Sequence, residues 1–226
     1  MRFKDVFSII GPSMVGPSSS HTAGAARLGR AARQLLGEQP KRVDITFYGS
    51  FAETYKGHCT DLAIVGGILD YETDNPRMVT SLEDAEKLGI QVDFRMGHGH
   101  FGHPNTAAIT LYSDTDVTTM KGASIGGGNI EVTNVNGFEV RFTGIYPTIV
   151  ILHQDYPGML ANFTSMLQRA GVNIGHLALD RKGRSADALT VIEVDNQMPE
   201  ELLQEIAQLE RVKKIHLVDL NKRGAQ

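Results

Sequence analysis

The chain has 226 residues, with 22 basic and 26 acidic side chains and a net charge of −4. That length builds one or two domains with a full hydrophobic core, and the near-balanced charge leaves no basic footprint for nucleic acid or for an anionic membrane surface. A single cysteine, Cys59, excludes an internal disulfide, a Cys-type zinc module and an iron–sulfur cluster held by this chain's own thiolates.

The opening MRFKDVFSII lacks the apolar run and small-residue cleavage site of a signal peptide, and no stretch approaches the roughly 18 apolar residues of a membrane span. The chain therefore reads as cytoplasmic. Ala23–Leu36 (AGAARLGRAARQLL) places Leu28, Ala31, Ala32 and Leu35 on one helical face. Gly24 and Gly29 each weaken a helix by about 1 kcal/mol relative to alanine, so they point to the close approach of another backbone. Val43–Phe47 alternates as a strand, Thr60–Leu69 and Leu82–Leu88 read as helices, and Ile90–Phe94 and Ala107–Tyr112 read as strands. Ile130–Val135 and Phe138–Phe142 flank Asn136-Gly137, the signature of a type I′ hairpin turn.

From Thr148 onward the pattern is regular. Thr148–His153 is a buried strand, and the turn Asp155–Gly158 follows, with Asp155 placed to cap the next helix. Met159, Leu160, Phe163, Met166, Leu167 and Ala170 recur at helical spacing, and Gly171 ends that helix. Val172–Asp180 and Ala188–Val194 are strands, Pro199 opens a second helix, and a last strand lies around Val212–Val218. The order βαββαβ is ferredoxin-like. The fold class is α+β, with one domain over residues 1–147 and a second over 148–226.

Four segments carry chemistry. Gly16–Gly24 (GPSSSHTAG) sets three serines, His21 and Thr22 directly before a helix. Ser19 or Ser20 can cap it, and a helix start suits a carboxylate or phosphate. Next, His58 follows a glycine and precedes a helix, where a neutral imidazole can exchange a proton near pH 7; Asp61 lies within reach to orient it. Cys59 and His58 as nucleophile and base is disfavoured, because adjacent side chains point apart. In the third segment, His98, His100 and His103 have an H-x-H-x-x-H spacing compatible with zinc, but the glycines between them and the lack of a nearby carboxylate or thiol oppose a rigid metal site, so no metal is assigned. Last, Gly122–Gly128 looks like a phosphate loop, but a strand pattern follows it and no Lys-Ser/Thr does, so it is read as a place where backbones or a ligand come close.

The segment Asp155–Leu160 (DYPGML), with Leu167 and Ala170–Ile174 (AGVNI), resembles an ACT domain. The resemblance implies a homodimer formed side by side through the sheets. It also implies a small amino acid at the pair interface, Asp155, Gly158 and Asn173 as ligand contacts, and room for a monovalent cation at loop carbonyls. The stretches PSSSHTAGA (17–25), GSFAET (49–54), KGHCTD (56–61), HPNT (103–106) and SIGGG (124–128), taken in this order, resemble the β chain of iron–sulfur-dependent L-serine dehydratase. The N-terminal domain of that family is similar in fold to the allosteric substrate-binding domain of phosphoglycerate dehydrogenases. The resemblance implies conversion of L-serine to pyruvate and ammonia without pyridoxal phosphate, with a [4Fe-4S] cluster in a partner α chain whose open iron acts as a Lewis acid. It implies His58 as the base that takes the Cα proton. It assigns substrate binding to Ser18, Ser19, Ser20, His21, Thr22, Ser50, Thr60, Asp61, His103, Asn105, Gly126 and Gly127. A competing reading is a non-catalytic amino-acid sensor; a dehydrogenase fragment fails for want of a Rossmann unit. One departure stands out: the resemblance implies a residue that is usually glycine after the histidine of KGH, and here that residue is Cys59.

Overall fold

The computed structural model describes residues 12–99 and 102–222. After a π-helical turn at Ser19–Ala23, the elements are α1 (Gly24–Leu36), β1 (Arg42–Tyr48), α2 (Ser50–Thr54), α3 (Thr60–Ile68), a 3-10 turn (Pro76–Thr80), α4 (Ser81–Lys87), β2 (Gln91–Met96), β3 (Thr106–Tyr112), β4 (Val117–Gly126) and β5 (Asn129–Val135). They are followed by β6 (Thr148–Gln154), α5 (Met159–Arg169), β7 (Ile174–Arg181), β8 (Asp187–Val194), α6 (Glu200–Ala207) and β9 (Val212–Val218). The fold is α+β, as expected.

The first sheet has the order β2-β1-β3-β4-β5. Strand β2 pairs parallel to β1, and the other pairs are antiparallel. Alternate residues of β1, namely Val43, Ile45 and Phe47, are buried, the period-2 signature of a sheet with one face on a core. Helix α1 lies against β3, β4 and β5, and α3 lies against α1. Two glycines permit that helix contact. A Cβ on Gly29 would stand 3.0 Å from the Ile68 nitrogen and 3.1 Å from Gly67 Cα, and one on Gly67 would stand 2.9 Å from the Arg30 nitrogen. The expected close backbone approach at Gly29 is therefore an α1–α3 crossing.

The second sheet, β7-β8-β6-β9, is antiparallel throughout, which completes the ferredoxin-like order. Ile149, Ile151, Ile192 and Val194 pack with Phe163 and Leu167 of α5 and Ile206 of α6. The opposite face is not free. Val150, Leu189, Val191 and Val218 join the same hydrophobic cluster as Leu28, Leu35 and Phe142. Buried Arg30 of α1 donates to Asp70 Oδ1 at 3.1 Å, to the Leu220 carbonyl at 3.4 Å and to the Lys222 carbonyl at 2.9 Å. One side chain thus ties α1 to the exit of α3 and to the segment after β9.

Three local expectations change. Phe138–Phe142 is not a strand: it makes isolated bridges at its two ends, Val135 to Phe138 and Val132 to Phe142. The turn before it has the predicted shape, with Asn136 at φ 51° and Gly137 at φ 78°. The glycine run is not a loop from Gly122, because Gly122–Gly126 lies within β4, and Gly127 and Gly128, both at positive φ, form the hairpin turn into β5. Asp155 does not cap α5. Gly158 holds that position in a left-handed conformation at φ 93° with no side-chain cap, while Asp155 Oδ2 accepts from Arg181 at 3.0 Å.

Candidate functional site

The site begins at the serine turn. Ser18, rather than Ser19 or Ser20, is the cap: it is extended, and its Oγ accepts from the His21 N–H at 3.2 Å. The chain then makes one π turn before α1 takes over, a feature that recurs at functional sites. The turn folds the hydroxyls inward. Ser20 Oγ lies 3.1 Å from His21 Nδ1 and 3.4 Å from Ser18 Oγ. His21 Nε2 lies 3.1 Å from the Oγ of Ser50, the first residue of α2. Buried Thr22 donates to the His58 carbonyl at 3.3 Å.

His58 sits in the loop between α2 and α3. Its N–H donates to the Thr54 carbonyl, and the Thr60 N–H closes the loop on Tyr55. The imidazole stands beside that of His21, ring centres 4.7 Å apart, and Phe51 meets His21 edge-on at 5.3 Å. Burial, reinforced by the neighbouring His58 ring, pushes the His21 pKa below the ordinary imidazole value. His58 Nδ1 is buried without a hydrogen-bond partner, and so are Thr60 Oγ1 and Ser124 Oγ. Buried polar atoms are satisfied in the great majority of cases; these three orphans lie on segments that pack around the serine turn, with Ser124 standing against Gly24. Asp61 does not orient His58: its Oδ1 accepts from the Leu62 N–H at 2.9 Å, at the start of its own helix. Cys59 adopts φ 55°, ψ 33°, the left-handed region where glycine is at ease and an L-residue is strained. A glycine, which the resemblance implies at that position, would adopt this conformation without strain.

The remaining motifs close around the same turn. A Cβ on Gly24 would lie 2.6 Å from Ser124 Cβ, and Gly128 stands against Pro12 and Ala23, so the SIGGG hairpin covers one side. Gly126 and Gly127 belong to this hairpin. The HPNT turn closes another side. Its Pro104 carbonyl accepts from the Phe51 N–H and stands 2.5 Å from where a Cβ on Gly49 would be. Its Asn105 carbonyl accepts from the Ser124 N–H at 2.9 Å. His103 Nδ1 accepts from the Asn105 N–H at 3.2 Å, and burial lowers its pKa.

Ser18, Ser20, His21, Thr22, Ser50 and His58 are thus joined directly. Ser19 lies in the same turn, Thr60 presents its orphan hydroxyl from the start of α3, and His103 and Asn105 sit behind the Gly49 contact. Phe51 and Ser124 complete the arrangement; they lie within the GSFAET and SIGGG stretches, but neither is assigned a site role from sequence. The ACT residues are not gathered in one chain. Asp155 and Gly158 precede α5, whereas Asn173 follows it and donates to Asp195 Oδ2 at 2.6 Å. An 11-residue helix separates them, about 16 Å at 1.5 Å per residue.

Among the described residues no group of three His, Cys, Asp or Glu side chains converges on a metal position; His100 of the H-x-H-x-x-H segment lies outside them. The lone Cys59 cannot supply the thiolates of a cubane cluster, so the residues of this chain do not fit that group. No helix among the described residues is long and apolar enough to cross a membrane.

Residues 3–134 match the family model described as serine dehydratase beta chain. The chain belongs to that family. Residues 148–211 match the ACT domain. The chain is 47% identical over 212 residues to a probable L-serine dehydratase, beta chain, of Bacillus subtilis, covering 94% of this chain and 96% of that protein. It is 36% identical to the L-serine dehydratase, beta chain, of Peptoniphilus asaccharolyticus, covering 91% and 93%. It is also 22% identical to the D-3-phosphoglycerate dehydrogenase of B. subtilis over 87% of this chain but only 37% of that enzyme, in keeping with the expected kinship of the N-terminal part.

Proposed function

We propose that this chain is the β subunit of a two-chain L-serine ammonia-lyase and that it supplies the proton-abstracting and carboxylate-binding half of a shared active site. The observation that carries the reading is the juxtaposition of His58, with a buried unpartnered Nδ1, and the hydroxyl turn at Ser18–Thr22. In a β-elimination, a base breaks the Cα–H bond, the electron pair forms the Cα–Cβ double bond, and the β-hydroxyl leaves as water after gaining a proton. The resulting enamine tautomerises to an imine, which water converts to pyruvate and ammonia. His58 is the base. The Ser18, Ser19 and Ser20 hydroxyls, at the start of the π-helical turn that runs into α1, hold the substrate carboxylate, an arrangement that helix-end charge favours, while Thr22, whose hydroxyl hydrogen goes to the His58 carbonyl, fixes the loop of the base. The low-dielectric setting strengthens both interactions.

Because this chain cannot hold a cluster, the [4Fe-4S] group is assigned to the α chain, and no step on the residues above runs through it. Residues 148–211 match the ACT domain, and we assign this module to pairing of two β subunits and to regulation by a small amino acid. The contacts Asp155 and Gly158 of one copy then act with Asn173 of the other, a reading supported by their separation along α5. The test is co-purification with an α chain followed by an anaerobic pyruvate assay. Activity of the pair and none of either chain alone is expected. Serine binding by this chain alone, with no partner and no pyruvate from the mixture, would establish a sensor instead.

A further inference from the structure

His21 has no nitrogen left for a substrate. Its Nδ1 is 3.1 Å from Ser20 Oγ and 3.5 Å from Ser18 Oγ, and its Nε2 is 3.1 Å from Ser50 Oγ. Its ring is held by His58 and by the edge-on Phe51. The two principal serines come from different elements, the turn before α1 and the first residue of α2, so the ring is a bridge between them.

A neutral imidazole offers one N–H donor and one acceptor nitrogen. One of the two serines must therefore receive the ring's hydrogen while the other donates to the ring. If Ser50 receives, its own hydroxyl hydrogen stays free; if Ser20 receives, its hydrogen has Ser18 Oγ at 3.4 Å as a competing acceptor. A carboxylate only accepts hydrogen bonds, so the serine with the free hydrogen is the one able to bind it. We propose that His21 is a positioning residue, not a substrate ligand: it bridges Ser20 and Ser50 and fixes their hydroxyl directions so that one presents its hydrogen to the substrate carboxylate. This rests on the carboxylate-binding reading of the turn given above, and the test separates the two.

In the assembled enzyme, His21→Phe keeps a ring against His58 and Phe51 but removes both hydrogen bonds. It should raise KM for L-serine about tenfold, with kcat within about threefold, as expected for a lost charge-assisted contact in the ground and transition states alike. Added to Ser20→Ala/Ser50→Ala, it should change KM less than about twofold, because residues acting through one another are not additive. His21→Gln, whose amide carries one donor and one acceptor, should recover most of the loss. If His21→Phe fails to assemble, His21→Asn carries the same test: its shorter side chain reaches Ser20 and not Ser50, so KM rises and Ser50→Ala adds nothing further. A wild-type KM in His21→Phe, together with a raised KM in either serine variant, refutes the positioning role alone. Unchanged KM in both serine variants refutes the carboxylate reading beneath it.

Discussion

Replacing Gly29 by alanine sets two rules of opposite sign against each other. In an isolated helix the change is favourable by about 1 kcal/mol, because glycine has the higher conformational freedom to lose. In this fold the added methyl would meet backbone and not a flexible side chain. The Ile68 nitrogen would be 3.0 Å away and Gly67 Cα 3.1 Å, and the Ile64 carbonyl oxygen would be closer still, where ordinary contact begins at 3.4 Å. Helices α1 and α3 would have to separate by about 1 Å, and overpacking of this kind costs roughly 1–3 kcal/mol. The helix gain offsets about 1 kcal/mol of that, so Gly29→Ala should destabilise the chain by up to about 2 kcal/mol. The site should respond as well, because α1 continues directly from the π turn that holds His21 and α3 follows His58. A shift of about 1 Å in a reacting geometry lowers turnover by up to about 100-fold. Urea unfolding of the chain and kcat of the assembled enzyme measure the two effects. Gly57→Ala is the control, since its Cβ would meet nothing nearer than the Thr54 carbonyl oxygen at 3.7 Å. A rise in stability for Gly29→Ala would show that the helices do not cross as closely as described.

Cys59→Gly should stabilise the chain by about 0.5–1 kcal/mol: the left-handed strain of about 1–2 kcal/mol is relieved and the entropy of glycine returns part of it. A lower melting temperature would instead assign Sγ a packing role. Arg30→Lys should destabilise by about 2–3 kcal/mol, because a single ammonium cannot serve Asp70 and the Leu220 and Lys222 carbonyls that the guanidinium reaches together; a change below about 0.5 kcal/mol in urea unfolding would contradict the tie. Burial holds the pKa values of His21, His103 and His216 below the unfolded imidazole value. The unfolded chain therefore binds more protons just below about pH 6.5, and stability, fully present above that pH, should fall as pH drops through the folded values. Thermal melts between about pH 8 and pH 5 follow this, and a flat profile would remove the three imidazoles from the balance.

Most elements are legible because their apolar periods are clear: α1, α3, β1 and the whole βαββαβ half lie within a residue or two of their predicted positions. Strand β4 is hidden by small residues. Gly122 is there because a Cβ would stand 2.8 Å from Leu28 Cδ2, a packing reason that looks like loop chemistry in sequence. The same limit applies to the cap. Three successive serines are locally equivalent, and the choice of Ser18 follows from the π turn. Proximity along the chain suggests roles for Asp61 and Asp155, but each has another partner, the Leu62 N–H and Arg181. The pairing of His21 with His58 joins two segments separated by α1, β1 and α2, and no local pattern encodes it.

The base assignment is tested most directly by the kcat of the assembled enzyme carrying His58→Gln, with pyruvate formation followed anaerobically and co-purification of the two chains checked in the same preparation. Loss of the base should lower kcat by about 10³-fold or more while assembly persists. A kcat within about tenfold of wild type, in an intact complex, would contradict His58 as the group that takes the Cα proton.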